Sequence, residues 1–167
     1  MVLYVTPSFS LDRNHNKGGW YVIELAKMMP DVNFVIIGNK DSYTDLPENI
    51  VNIGRVESKA KLAEFYSVAD LTLIPSKRET FSMIAAESLC CGTPVVGFKA
   101  GGPETIAIDE FSRFVDYGNI ELLKSSLEEF LNKNFSKENI EKISKEKYDK
   151  SVMFDDYLEV YKDLARE

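Results

Sequence analysis

The feature that most constrains this chain is an alternation in which short β-rich apolar runs are separated by stretches with helical spacing. Runs such as NFVIIG (residues 33–38) and LTLIP (residues 71–75) have no polar face to show to water. Strands of this kind need cover on both sides, which parallel strands obtain from the helices that join them. Strands are expected at Met1–Thr6, Asn33–Gly38, Ile50–Ile53, Leu71–Ile74 and Pro94–Phe98. A helix is expected at Trp20–Met29, where Val22, Leu25, Ala26 and Met29 recur at helical spacing and Pro30-Asp31 ends the run. A second, Lys59–Ser67, places Leu62, Phe65 and Tyr66 on one face, and a buried third spans Phe81–Cys91 up to Gly92. A loop holding Asp41, Pro47 and Asn49 precedes the third strand.

The last third changes character. Charges alternate on helical patterns at Ile120–Leu131 and Lys137–Tyr148, and Phe154, Tyr157, Leu158 and Tyr161 fall at i, i+3, i+4 and i+7. All three stretches are expected to pack over the sheet as helices. With no repeat, low-complexity linker or internal boundary, residues 1–167 read as one domain with a C-terminal helical segment at about 118–166. The fold class is α/β, a Rossmann-like parallel sheet flanked by helices in three layers.

Charge narrows the function. The chain carries 20 basic and 27 acidic residues, a net charge of −7, which argues against general nucleic-acid binding. An anionic ligand would need a local basic cluster. A hydrophobic content of 44% with 28% charged residues is that of a folded globular protein. No apolar run approaches the length of a membrane span, and MVLYVTPSF lacks the layout of a signal peptide, so the cytoplasm is the expected compartment. Adjacent Cys90 and Cys91 suit neither a disulfide framework nor the spaced pairs of a zinc site, and both read as small core residues. A single histidine, His15, cannot build a histidine metal cluster. Neither G-x-G-x-x-G after the first strand nor G-x-x-x-x-G-K-[ST] is present.

Two loop-to-helix junctions remain as candidates. Lys17-Gly18-Gly19 opens the first helix, so backbone N–H groups and the positive helix end face a place that glycines leave open to a phosphate. Arg13, His15 and Lys17 make that loop basic. The same glycines would equally serve a surface loop that ends a strand and starts a helix. The second junction is Ser76-Lys77-Arg78-Glu79-Thr80-Phe81-Ser82, followed by Glu87. Ser76 and Glu79 also have the spacing of a capping box, which would explain Glu79 without a ligand. Among 27 acidic residues in 167, about four pairs at the Glu79–Glu87 spacing arise by chance, so the bare pair carries no weight.

Its surroundings do. The stretch from Ala69 to Ile106, ADLTLIPSKRETFSMIAAESLCCGTPVVGFKAGGPETI, resembles the donor-nucleotide region of retaining glycosyltransferases of family 4, or group 1, which have the GT-B fold. The E-x7-E pair (Glu79, Glu87), the E-x-F-S turn, the G-T-P-V-V segment and the G-G-P-E turn at Gly101–Glu104 carry the likeness. Weaker similarity extends through AEFYSVAD and NFVIIGN back to KGG, and forward to the tail. The resemblance implies that Glu87 accepts from the donor's ribose hydroxyls. It makes Glu79, which would hold the donor sugar's hydroxyls, the catalytic candidate, and it turns the amides of Thr80, Phe81 and Ser82 towards sugar and diphosphate. Lys17, beside Gly18, matches the lysine that neutralises the diphosphate. Asp12 stands where the family pattern has an arginine, and Arg13, one residue nearer the lysine, is the candidate in its place. The loop of Gly54, Arg55 and Val56 lies where the family seats the base.

The resemblance thus implies the donor-binding half of a GT-B enzyme, moving a hexosyl-type group from a nucleotide sugar to a saccharide or lipid-linked acceptor without a metal or other cofactor. It also implies that the N-terminal acceptor domain is absent from these 167 residues, that this half alone is inactive, and that the parent takes part in polysaccharide assembly, peripheral to the inner membrane face if membrane-associated. Two rival readings are a non-catalytic nucleotide-sugar-binding module and a GT-B-type sugar-nucleotide epimerase.

Overall fold

A computed structural model describes residues 1–39 and 46–165. Asp41, part of an expected loop, lies outside the described residues. Strands β1 (Val2–Val5), β2 (Phe34–Ile37), β3 (Ile50–Gly54), β4 (Leu71–Ile74), β5 (Val95–Phe98) and β6 (Ser112–Val115) form one parallel sheet in the order β3-β2-β1-β4-β5-β6. Helices α1 (Gly19–Met28), α2 (Lys59–Val68), α3 (Met83–Cys90), α4 (Pro103–Ile106), α5 (Ile120–Leu131), α6 (Lys137–Tyr148) and α7 (Lys150–Leu164) complete the chain, with a 3-10 turn at Asp109–Phe111.

The period-two alternation of strand side chains sorts the core into two layers. Val2, Tyr4, Phe34, Ile36, Leu71, Leu73, Val96 and Phe98 face α1 and α5, where Val22, Leu25, Leu123, Leu127 and Phe130 cover them. On the opposite face, Leu3, Val35 and Ile37 pack with Tyr66 of α2, while Ile74 and Val95 pack with Ala85 and Leu89 of α3 and Ile140 of α6. Both faces of the central strands are covered, as their continuous apolar runs require, while edge strand β3 leaves Val51 and Ile53 exposed.

Four details depart from the sequence expectation. Strand β6 was not anticipated; as an edge strand buried at its ends and exposed at Arg113, SRFV lacks the apolar run of a central strand. Helix α3 starts at Met83 rather than Phe81, because Ser82 takes φ 69° and Phe81 stays in the loop, 48% exposed. Cys90 and Cys91 are only half-buried at the end of α3, not core residues. Of the last three helices, α5 lies on the sheet, α6 packs chiefly on α3 and reaches the sheet through Ile140, and α7 exposes Phe154, Tyr157 and Tyr161 by 59–65%.

The C-terminal end of α1 is tied to the sheet by one side chain. Asn49 Nδ2 donates to the carbonyls of Ala26, Met29 and Val32 at 2.9–3.0 Å, satisfying acceptors that a helix end leaves open. Asn49→Ala should cost about 2 kcal/mol, since it removes three hydrogen bonds, although Met29 N and Val32 N still donate to the Ala26 and Met29 carbonyls. For a domain of this size that is a fall of roughly 4–8 °C in melting temperature, read by circular dichroism.

Candidate functional site

The loops that leave β1, β4 and β5 meet at the C-terminal edge of the sheet. Tyr4 anchors the first: its buried hydroxyl donates to Lys17 O at 2.8 Å, and burial pushes its pKa well above the ordinary range. Asn16 stitches the first loop to the second, its carbonyl accepting from Lys77 N at 2.8 Å and its amide donating to Arg78 O at 3.0 Å. The second loop rests on the third, with Glu79 N donating to Ala100 O at 2.9 Å in a short parallel bridge. A Cβ on Gly102 would stand 2.4 Å from Thr80 O, so only glycine permits this approach.

An open cleft of about 530 Å3 lies between these loops, lined by Asn16, Lys17, Arg78, Glu79, Thr80 and Ala100. In it Lys17 Nζ donates to Glu79 Oε1 at 2.7 Å, and Ser76 Oγ donates to the same oxygen at 2.9 Å. Ser76 therefore orients Glu79 directly; no helix starts between them, and the capping-box explanation of Glu79 falls. Both bonds fall on Oε1, while a carboxylate can accept about four in all and an ammonium has three donors. The pair therefore keeps acceptor and donor capacity for a ligand without breaking.

Helices α1 and α3 both begin at this edge, and they begin alike. Gly18 (φ 70°) and Ser82 (φ 69°) cap them in left-handed backbone, and neither cap makes a side-chain hydrogen bond. By contrast, α2, α5, α6 and α7 are capped by Ser58, Asn119, Ser136 and Asp149, each accepting from a first-turn N–H. The helices beside the cleft thus keep first-turn donors and a positive end available to an anion. Ser82 is 7% exposed, and its Oγ has no partner among the described residues.

The glycines of the KGG turn are required by the packing of the chain itself. A Cβ on Gly18 would lie 2.1 Å from Pro75 O, and one on Gly19 would lie 2.5 Å from Ser10 O. The basic loop also does not act as one cluster. Only Lys17 enters the cleft; His15 turns to Ser8 Oγ and Lys17 N, and Arg13 stacks on Trp20 with its guanidinium 4.8 Å from the ring centre. Glu87, half-buried on α3, accepts from the Tyr66 hydroxyl at 3.2 Å and does not line this cleft. Arg55 projects into solvent beside Glu57, and Val56 packs against the core under α2. Asn16 and Ala100 were not singled out from sequence, and Arg78 only as part of the second junction; their contacts span loops far apart in the chain. Among the described residues, no group of three His, Cys, Asp or Glu side chains is placed to hold a metal, and no helix is long and apolar enough to cross a membrane.

A family profile described as glycosyl transferases group 1 matches residues 12–148. The chain belongs to the group 1 glycosyltransferases. A D-inositol 3-phosphate glycosyltransferase from Segniliparus rotundus is 32% identical over 101 residues, covering 53% of this group 1 domain and 22% of the relative. A protein of the same description from Thermomonospora curvata is 52% identical over 48 residues, covering 29% and 11%. Sucrose-phosphate synthase from Thermosynechococcus elongatus superposes with TM-score 0.77 at 19% identity, over 99% of this chain and 45% of that one. Anabaena HepE in complex with UDP superposes with TM-score 0.72 at 17% identity, over 97% and 48%. The group 1 domain is a Rossmann-like half of a GT-B fold and spans about half the length of these solved chains.

The third loop depends on a carboxylate. Glu104 accepts from Ala100 N at 3.0 Å and Gly101 N at 2.8 Å. Burial raises its pKa, but the backbone donors, with help from Lys99, outweigh it and hold the carboxyl below the ordinary 4.5. A carboxyl lowered by folding stabilises the fold above its unfolded pKa, and that contribution is lost as pH falls through the folded value. Glu104→Gln should therefore melt below the parent at neutral pH, and the gap should close as melts are repeated below pH 4.5.

Proposed function

We propose that this domain binds the nucleotide-sugar donor of a retaining glycosyltransferase and forms the donor wall for transfer of a hexosyl-type group to a saccharide or lipid-linked acceptor. The observation that carries the reading is the Lys17–Glu79 pair in the cleft, 2.7 Å apart, beside two helix ends that spend no first-turn donor on a capping side chain. A nucleotide sugar offers matching chemistry: an anionic diphosphate next to a ring of hydroxyls. Lys17 and the first turns of α1 and α3 would hold the diphosphate and stabilise the charge that grows on it as the sugar departs. Glu79, held by Ser76, would accept from the sugar's hydroxyls through Oε2, and the loop Thr80-Phe81-Ser82 would border the sugar. Glu87 would accept from the ribose, and the loop at Arg55 and Val56 would face the base. Arg13 would reach the diphosphate only by leaving Trp20. HepE has been crystallised with UDP and with UDP-glucose, which makes uridine the first base to try.

Transfer needs more than this half. An acceptor hydroxyl must be held beside the departing diphosphate, and such placement supplies roughly 7–11 kcal/mol of barrier reduction. Closure of a second wall also excludes the water that would hydrolyse the donor. The domain alone should therefore bind without turnover, and activity should appear when the other half of the enzyme is supplied.

Calorimetry with UDP-, GDP- and ADP-sugars, with the matching diphosphates and nucleosides, tests the reading. Lys17→Ala should weaken the diphosphate about tenfold or more and leave the nucleoside nearly unchanged, because only the former carries the charge. Glu79→Gln should spare the diphosphate and weaken only the intact sugar nucleotide. Equal losses for every ligand, or no binding at all, would sink the assignment.

A further inference from the structure

The second glutamate of the pair has a partner that the proposed donor site does not use. Tyr66, in the last turn of α2, is 1% exposed and donates from its hydroxyl to Glu87 Oε2 at 3.2 Å. Phenylalanine would fill the same space without burying a hydroxyl, so the oxygen has a cost that the bond to Glu87 must offset. Burial, then the charge of Glu87, push the Tyr66 pKa well above its ordinary value, so the phenol remains a donor across the physiological range.

The main chain around Tyr66 is as firmly held as its side chain. Thr93 Oγ1 donates to Tyr66 O at 2.5 Å, and Lys137 Nζ donates to Ser67 O and Ala69 O at 2.6 and 2.7 Å. On the facing helix, Ser88 Oγ, next to Glu87, lies 2.7 Å from Thr72 Oγ1 and 2.9 Å from Thr93 O. The end of α2 and the middle of α3 are thereby fixed to each other and to the sheet from both sides of the Tyr66–Glu87 contact.

We propose that Tyr66 is a positioning residue for nucleotide recognition: it pins Glu87 through Oε2 and leaves Oε1 directed to accept from the ribose hydroxyls. The proposal rests on the ribose role of Glu87 given above. With the phenol oxygen removed, the carboxylate gains freedom, and the ribose contact weakens while contacts to base and diphosphate stay as they were.

The test uses whichever of UDP, GDP and ADP binds the chain most tightly, together with its 2′,3′-dideoxy analogue, on the parent, Tyr66→Phe, Glu87→Gln and the double variant. Tyr66→Phe should weaken the ribonucleotide about three- to tenfold and barely change the dideoxy analogue, so discrimination between the two falls. The double variant should match Glu87→Gln alone. Melting curves confirm folding, and Tyr66→Leu, which also lacks the hydroxyl, serves if Tyr66→Phe does not fold. A merely structural tyrosine would weaken both ligands alike, and that outcome overturns the proposal. If Glu87→Gln lowers discrimination while Tyr66→Phe keeps it, the positioning role is overturned and the ribose role stands. If Glu87→Gln keeps full discrimination, or no diphosphate binds, the ribose role falls and takes the proposal with it.

Discussion

The site depends on a reversal in the order of the sheet. From β1 the chain adds β2 and β3 on one side, then returns to place β4, β5 and β6 on the other. Right-handed crossovers in opposite directions send α1 and α3 to opposite faces, so the loops after β1 and β4 must part where they leave neighbouring strands. Ligands of open α/β sheets sit in the crevice this leaves at the carboxyl ends of the strands. Lys17 and Glu79 come from the two sides of that parting, 62 residues apart in sequence, and their ion pair spans it.

Electrostatics at this edge are arranged with the means a chain of net charge −7 has available. Rather than massing lysines, it aims one of them inward and leaves the starts of α1 and α3 without a side-chain cap, as it does that of the one-turn α4, while α2, α5, α6 and α7 spend a first-turn donor on a serine, asparagine or aspartate side chain. Partial positive charge from the backbone attracts an anion without adding to the net charge.

What could be read from sequence follows from how local each signal is. Strands β2 and β4 and helices α5 and α6 were legible because their apolar periods lie within a few residues, and the α5 and α6 boundaries coincide with expectation. The edge strand β6 was not, since a four-residue strand buried only at its two ends has no distinctive run. For the site, the residues around Glu79 were legible as a resemblance, and Lys17 as the one basic residue beside the turn. The packing of the turn was not: Gly18 yields to Pro75 O, a contact that exists only once β4 lies beside β1, and Gly19 to Ser10 O, where the loop after β1 folds back on itself. The stitching by Asn16, the support of the third loop by Glu104, and the stacking of Arg13 on Trp20 are likewise products of tertiary placement.

Ser82 shows what this architecture asks of stability. A left-handed backbone costs a residue with a Cβ roughly 1–2 kcal/mol, whereas glycine would adopt it freely but lose about 0.5–1 kcal/mol through the greater entropy of its unfolded chain. The balance favours glycine by up to about 1.5 kcal/mol, and the buried, unpartnered hydroxyl adds to the cost of serine. Serine at position 82 is thus a residue that folding alone would not choose, and its hydroxyl lies at the start of α3, where a change of chemistry would be felt first by what binds there.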